Sequence, residues 1–260
     1  MDFAFTLAGF TVGFIVGMTG VGGGSLMTPL LVLVFGLKPA VAVGTDLLYA
    51  AITKCGGIFV HNKKGSIEWR IVGLLSLGSI PSSILAVYLL KYMDKAGIDY
   101  SNLITSSLSI ALILTSVVLL FKVPLQKLGQ NERFDAIRTL HRQLQLPMTL
   151  AAGILLGFLV TLSSVGAGAL GAAILFFLYP RLPSIRIVGT DLAHAVPLTA
   201  VAGLGHLHLG TIDFSILLSL LVGSLPGIYI GSHVANHLPE KIMRPALASM
   251  LLLIGVRLAI

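Results

Sequence analysis

The sequence predicts an all-α integral membrane protein: two inverted repeats of about five hydrophobic segments each, with glycine-broken helices or hairpins at the start of each repeat. Three observations predict it, namely an apolar composition, an internal duplication, and glycine clusters that interrupt apolar runs at matching positions. Of the 260 residues, 56% are hydrophobic and 10% charged, with a mean hydropathy of +0.98. A soluble domain carries roughly 25% charged residues. A spanning helix takes about 20 mostly apolar residues, and such runs fill the chain, leaving no space for a separate soluble domain.

The apolar segments of the first half run from Phe3 to Gly20, Ser25 to Leu37, Ala40 to Phe59, Ile71 to Leu90 and Leu103 to Phe121. Those of the second half run from Met148 to Leu162, Leu170 to Tyr179, Ile187 to Gly205, Phe214 to Val234 and Ile242 to Ile260. The second and seventh are too short to span comfortably. Asp2 stands where a secretory signal carries Lys or Arg, and no A-x-A-like site closes the first run, so that run reads as the first segment of the domain. The expected organisation is repeat one at 1–121, a cytoplasmic connector at 122–147 and repeat two at 148–260.

The duplication is legible in four motifs. "VGTDLLYAAIT" at Val43 returns as "VGTDLAHAVPL" at Val188, "GSIEW" at Gly65 as "GTIDF" at Gly210, and "GSIP" at Gly78 as "GSLP" at Gly223, each 145 positions later. "TGVGGGSL" from Thr19 aligns with "SSVGAGAL" from Ser163 after one residue of slippage. Four motifs in one order mark an internal repeat.

Positive charge chooses the topology. With five segments per half, the loops on one side hold twelve Lys and Arg against four on the other, and Lys54 lies inside a segment; with four per half the split is nine against seven. The five-plus-five arrangement follows, and an odd number per half inverts the second half. The basic "HNKKGSIEWR" and its copy "HLHLGTIDFS", which has no Lys or Arg, then face opposite sides. The connector faces the cytoplasm and both termini face outward.

The net charge of +7 does not point to nucleic acid, because the basic residues sit in short loops rather than along one polar face. Cys55, the single cysteine, excludes an intrachain disulfide. His206 and His208 cluster at a loop, but no carboxylate or cysteine completes a metal set. No cofactor motif is present, and neither glycine cluster matches a nucleotide P-loop.

The stretch from Gly20 to Gly24 places four glycines in five positions. Each costs roughly 1 kcal/mol relative to alanine in a helix, so the cluster marks an unwound segment. Interrupted segments at matching positions of two halves point to a transporter's binding site, and free N–H groups at a helix start bind anions. The candidate substrate site is therefore Gly22, Gly23, Gly24, Ser25 and Thr45, with Ser163, Ser164, Gly166, Gly168 and Thr190 from the second half. The plainer alternative is close helix packing through small residues.

A charged residue within a spanning segment is a functional candidate by default, which singles out Asp46 and Asp191 for proton coupling or cation binding. The alternative is that each "GTD" caps a helix restarting after a local break. Lys54 lies two turns beyond Asp46 and aligns with Thr199; it either attracts an anion, neutralises Asp46, or snorkels toward the cytoplasmic edge. His194, three residues past Asp191, shares its helix face and is placed to exchange a proton with it, or is simply a buried, hydrogen-bonded histidine. Pro81 and Pro226 follow "GS" in matching segments and bend or shape them.

"GMTGVGGGSLMTPLLV", its weaker copy "LSSVGAGALGAAIL" and the two "VGTDL" stretches resemble the TauE/SafE family of membrane permeases, along essentially the whole chain. The resemblance implies transport of small, mainly sulfur-containing anions or carboxylates across a cytoplasmic (inner) membrane, and no catalysis. It carries over to Gly20, Gly22, Gly23, Gly24, Gly44, Thr45 and Asp46, and to Gly166, Gly168, Gly189, Thr190 and Asp191. Ala167 in place of a glycine, and Lys54 without a basic counterpart, make the two halves unequal contributors.

The leading expectation is a secondary transporter moving a small anion by alternating access, coupled to a proton or sodium gradient in a lipid bilayer. The competing classes are a membrane-embedded enzyme using Asp46, Asp191 and His194, and a passive anion channel. No G-x-S-x-G or H-E-x-x-H motif supports the enzyme.

Overall fold

Helix boundaries recur with the spacing of the sequence motifs. The computed structural model describes residues 2–19, 24–129, 135–234 and 240–259. Among them are ten α-helices and no strand: α1 (Phe3–Thr19), α2 (Gly24–Leu33), α3 (Pro39–Lys63), α4 (Trp69–Lys95), α5 (Ser101–Gly129), α6 (Asp135–Ser163), α7 (Ala169–Leu178), α8 (Ser184–His208), α9 (Phe214–Val234) and α10 (Glu240–Ala259). Helices α2 and α7, and α3 and α8, begin and end 145 positions apart, and α4 and α9 begin 145 apart. Helices α1 and α6 end at Thr19 and Ser163, 144 apart. The one-residue slippage therefore falls in the connections, 20–23 in the first half and 164–168 in the second.

Among the described residues six helices, α3, α4, α5, α6, α8 and α9, contain stretches long and apolar enough to cross a membrane. Helices α2 and α7 have ten residues each, about 15 Å at 1.5 Å per residue, half of the hydrocarbon thickness. The outward surface is apolar where a soluble protein would be polar, with Leu77, Leu85, Leu218 and Leu253 all exposed. The protein is a multi-pass membrane protein.

The helices are longer than their apolar cores. Helix α5 continues through the basic stretch to Gly129 and α6 starts at Asp135, so most of the expected connector at 122–147 is helical and belongs to these two elements. Leu, Gln, Lys and Arg are good helix formers, and a helix leaving the membrane needs no apolar face.

The halves interlock reciprocally. Gly13 of α1 packs on Ser224 of α9, where a Cβ would lie 2.5 Å from the Ser224 carbonyl oxygen, and the equivalent Gly157 of α6 packs on the equivalent Ser79 of α4. Such small-residue strips let helix backbones meet, so α1 lies along α9 and α6 along α4 in the same way. Thr45 Oγ1 accepts a hydrogen bond from the Asp213 N–H at 3.1 Å, and Thr190 Oγ1 accepts one from the Glu68 N–H at 3.0 Å. The His61 Nδ1 to Ser66 Oγ pair at 2.8 Å recurs as His206 Nδ1 to Thr211 Oγ1 at 2.9 Å. When residue i of one copy meets j of the other and j meets i, the copies are related by a two-fold operation.

Helix direction supplies the orientation. Gly44 and Gly189 meet His206 and His61, while Gly203 and Gly57 meet Leu48 and Leu192. Early residues of α3 thus face late residues of α8, so these two equivalent helices run antiparallel. Helices α5 and α10 are likewise antiparallel, with Ser109 Oγ donating to the Gly255 carbonyl and Ser116 Oγ to the Ala248 carbonyl, both at 2.7 Å.

Candidate functional site

Helices α3 and α8 are continuous through both "GTD" motifs. Asp46 and Asp191 are therefore interior helical residues, which removes the capping alternative: at a helix interior the backbone donors are already taken by the ladder. Both side chains are buried, at 0% and 3% exposure.

Each carboxylate has its own surroundings. Asp46 Oδ2 accepts a hydrogen bond from Thr28 Oγ1 of α2 at 2.5 Å, and the Ser164 hydroxyl lies within electrostatic reach of the same carboxylate. Asp46 Oδ1 and Ser164 Oγ are buried without a hydrogen-bond partner. Asp191 Oδ1 is also buried and unpartnered. It presses on Gly171 of α7, where any Cβ would collide with it. The residue equivalent to Thr28 is Ala173, so α7 offers Asp191 no hydroxyl at that position.

Lys54 belongs to the same buried centre. Its side chain is 7% exposed, its Nζ donates to the Ala167 carbonyl at 2.7 Å, and its charge acts on both Asp46 and Asp191. This inward course overturns the snorkelling alternative. The stem crosses from the first repeat into the second because the α6–α7 break leaves a carbonyl oxygen without a helical donor. No ion pair within 4.0 Å joins Lys54 to either aspartate; among the described residues the ion pair is Arg186 to Glu68, at 2.5 Å, in exposed surroundings.

The break itself has the backbone that its glycines permit. Gly166 and Gly168 adopt φ of 116° and 135°, and Ser164, at 57°, is the one non-glycine residue with positive φ among the described residues. A serine there costs of order 1 kcal/mol or more. Ser163 closes α6, donating to the Leu159 carbonyl at 2.6 Å and accepting from the Val165 N–H at 3.2 Å. In the first half, Gly24 and Ser25 open α2, and Ser25 is buried. Gly20, Gly22 and Gly23 lie outside the described residues.

His194 is buried, with Nε2 2.8 Å from Ser79 Oγ and Nδ1 unpartnered. Its repeat equivalent is Tyr49, whose side chain lies near Ser224, the equivalent of Ser79. The "+3" residue of each "GTD" thus reaches the serine of the other half's "GS-x-P" motif. Thr45 and Thr190 instead face the starts of α9 and α4, where they tether the halves. His206 and His208 do not converge: His206 is buried between Thr211 Oγ1 and the Thr161 carbonyl, and the exposed His208 bonds to the Leu204 carbonyl. Pro81 and Pro226 sit inside α4 and α9, which both run on.

Sequence reasoning missed Thr28, Tyr49, Ser79, Gly171 and Ser224. The repeated "GSIP" and "GSLP" carry the signal for the serines. Nothing local marked Thr28 or Gly171, whose partners lie on other helices.

Comparison with known proteins agrees with this architecture. The family model described as sulfite exporter TauE/SafE matches residues 5–258. The chain is 34% identical over 258 residues to the Probable membrane transporter protein YjnA of Bacillus subtilis, covering 99% of this chain and 100% of the relative. It is 28% identical to the Probable membrane transporter protein YdhB of the same organism, over 94% of this chain and 97% of the relative. A Methanocaldococcus jannaschii relative, Probable membrane transporter protein MJ0441, is 25% identical over 96% of this chain and 92% of its own length. No solved structure matches.

Proposed function

We propose that this chain, which belongs to the sulfite exporter TauE/SafE family and is a membrane transporter rather than an enzyme, carries a small anion across the cytoplasmic membrane by alternating access, coupled to an ion gradient. The substrate class is a sulfur-containing oxyanion, an organosulfonate or a small carboxylate. One observation carries the reading: the buried Lys54 ammonium, whose charge acts on Asp46 and Asp191, bonds the Ala167 carbonyl at the glycine break of the opposite repeat. A buried cation beside an unwound segment offers an anion both a charge and free backbone donors.

The site residues proposed from sequence fall into two groups. Gly24, Ser25, Ser163, Ser164, Gly166 and Gly168 are proposed to hold the substrate at the helix ends, together with Gly22 and Gly23, which lie outside the described residues; Lys54, Asp46, Asp191 and His194 are proposed as the ion-coupling centre. Thr45 and Thr190 support it by tethering the halves. The antiparallel run of α3 and α8 supports an inverted relation of the repeats, with an odd number of crossings in each. That geometry presents the charged centre to opposite sides of the membrane as the repeats rock.

Counterflow in proteoliposomes tests the reading. Vesicles preloaded with unlabelled sulfite, thiosulfate, ethanesulfonate or acetate should accumulate the labelled species transiently. Downhill leak without counterflow would make the protein a channel, and an absence of flux with every anion would reject anion transport.

A further inference from the structure

We infer that the Asp191–His194 pair of the second repeat is the proton acceptor of the transport cycle, and that it takes up one proton for each monoanion that binds. The inference rests on the anion-carrier reading and adds the coupling ion, its carrier and its stoichiometry.

The duplication makes the two half-sites a built-in comparison. Asp46 and Asp191 are equivalent, but Tyr49 stands where the second half has His194, Thr28 where it has Ala173, and Lys54 where it has Thr199. A phenol stays protonated near neutral pH, whereas an imidazole gains and loses a proton there. The first half therefore holds a carboxylate with a hydroxyl donor and a fixed cation. The second holds a carboxylate beside a titratable ring.

Two unsatisfied atoms mark where the proton goes. Asp191 Oδ1 and His194 Nδ1 are both buried without a partner, and they belong to residues three apart, hence on one helix face. Ser79 Oγ engages Nε2; in the tautomer whose Nε2–H donates to that hydroxyl, Nδ1 is the nitrogen open to a proton. An acceptor atom that is buried with no donor bound to it has a lone pair open to a proton, whereas one already engaged does not.

Charge balance sets the number. Asp46 and Asp191 against Lys54 leave one negative charge in excess, and an uncompensated buried charge costs several kcal/mol. One proton at Asp191 neutralises the empty site, because Asp46 already accepts a hydrogen bond from the Thr28 hydroxyl. An arriving monoanion restores the excess. A second proton then moves from bulk solution or buffer onto the Nδ1 lone pair of His194, with no bond of the anion broken.

The other ionisable groups packed against α8 do not compete for this role. From α3, Lys54 is the charge that acts on both Asp191 and His194. From α4, Ser79 meets His194, while Glu68 pairs with Arg186 and its N–H bonds Thr190. His61 meets Gly189 and Ser66 nearer the helix start, and α7 presents Gly171.

Calorimetric titration of the purified full chain in detergent, with ethanesulfonate and acetate, in buffers of different ionisation enthalpy, tests the inference. The binding heat should vary with buffer, with a slope of about one proton per monoanion. His194→Gln and His194→Tyr should bring the slope near zero; tyrosine is the residue that the first repeat carries at the equivalent position, beside Ser224, which guards against misfolding. His208→Gln, an exposed control, should keep the slope. Binding with no buffer dependence in the unmodified protein, or an unchanged slope in both His194 variants, overturns the inference and leaves the anion carrier standing. If neither anion binds, the carrier reading itself fails and the inference falls with it.

Discussion

Ser79 on α4 and His194 on α8 meet at 2.8 Å between Oγ and Nε2, joining residues of opposite repeats 115 positions apart. Through this bond the "GS-x-P" helix of one half senses the "GTD" helix of the other. The equivalent Tyr49 and Ser224 are likewise neighbours across the two halves. A movement of α4 relative to α8 therefore cannot leave the imidazole in place.

Removing the hydroxyl of Ser79 tests this link. Ser79→Ala should leave His194 Nε2 buried without a partner and lower stability by roughly 1–3 kcal/mol. Ser79→Thr, which keeps the hydroxyl, should recover coupled uptake more than it recovers stability, because the added methyl meets the Gly157 strip. Thermal unfolding in detergent and proteoliposome uptake read the two effects separately.

Asp46→Asn and Asp191→Asn should each fold normally, since the amide keeps shape and most hydrogen bonding, and should lose uptake driven by an imposed gradient while retaining some exchange. Full gradient-driven activity in both variants would remove the coupling role of the aspartates.

Gly171→Ala places a methyl against Asp191 Oδ1. The carboxylate must shift, so transport should fall by an order of magnitude or more, while stability changes by only about 1–3 kcal/mol. Gly73→Ala, where a Cβ meets nothing within 4 Å, should be close to neutral in both assays.

Gly13→Ala and Gly157→Ala address packing rather than binding. Each new methyl meets backbone across a helix pair, and backbone yields less readily than side chain. Both should lower the unfolding temperature, by comparable amounts because the two sites are equivalent, with affinity for a bound anion changing less. A large loss of affinity with unchanged stability would move these strips into the binding site.

Topology is open to labelling on a background lacking Cys55. Cysteines at Lys64 and Leu209 occupy equivalent loops, and an impermeant thiol reagent should reach only the second from outside. Labelling of both from one side would contradict the inverted arrangement.

Composition, apolar run length and the 145-residue recurrence were enough to establish a membrane protein of helical segments with short second and seventh helices. Each is a property of local chain stretches, because apolar run length and motif repetition need no knowledge of what a segment touches. The helix ends were less legible: polar flanks such as Lys122–Gly129 stay helical without an apolar signal. Lys54 was ambiguous for a different reason, since a flexible four-carbon stem can turn toward solvent or inward. The tertiary structure decided it, by placing the Ala167 carbonyl of the other repeat within 2.7 Å of the ammonium. It likewise decided that Thr28 serves Asp46, that Gly171 crowds Asp191 and that Ser79 holds His194. These pairings depend on how whole helices cross, and helix crossing is set by packing between segments distant in the chain, on which no single stretch of sequence carries the information.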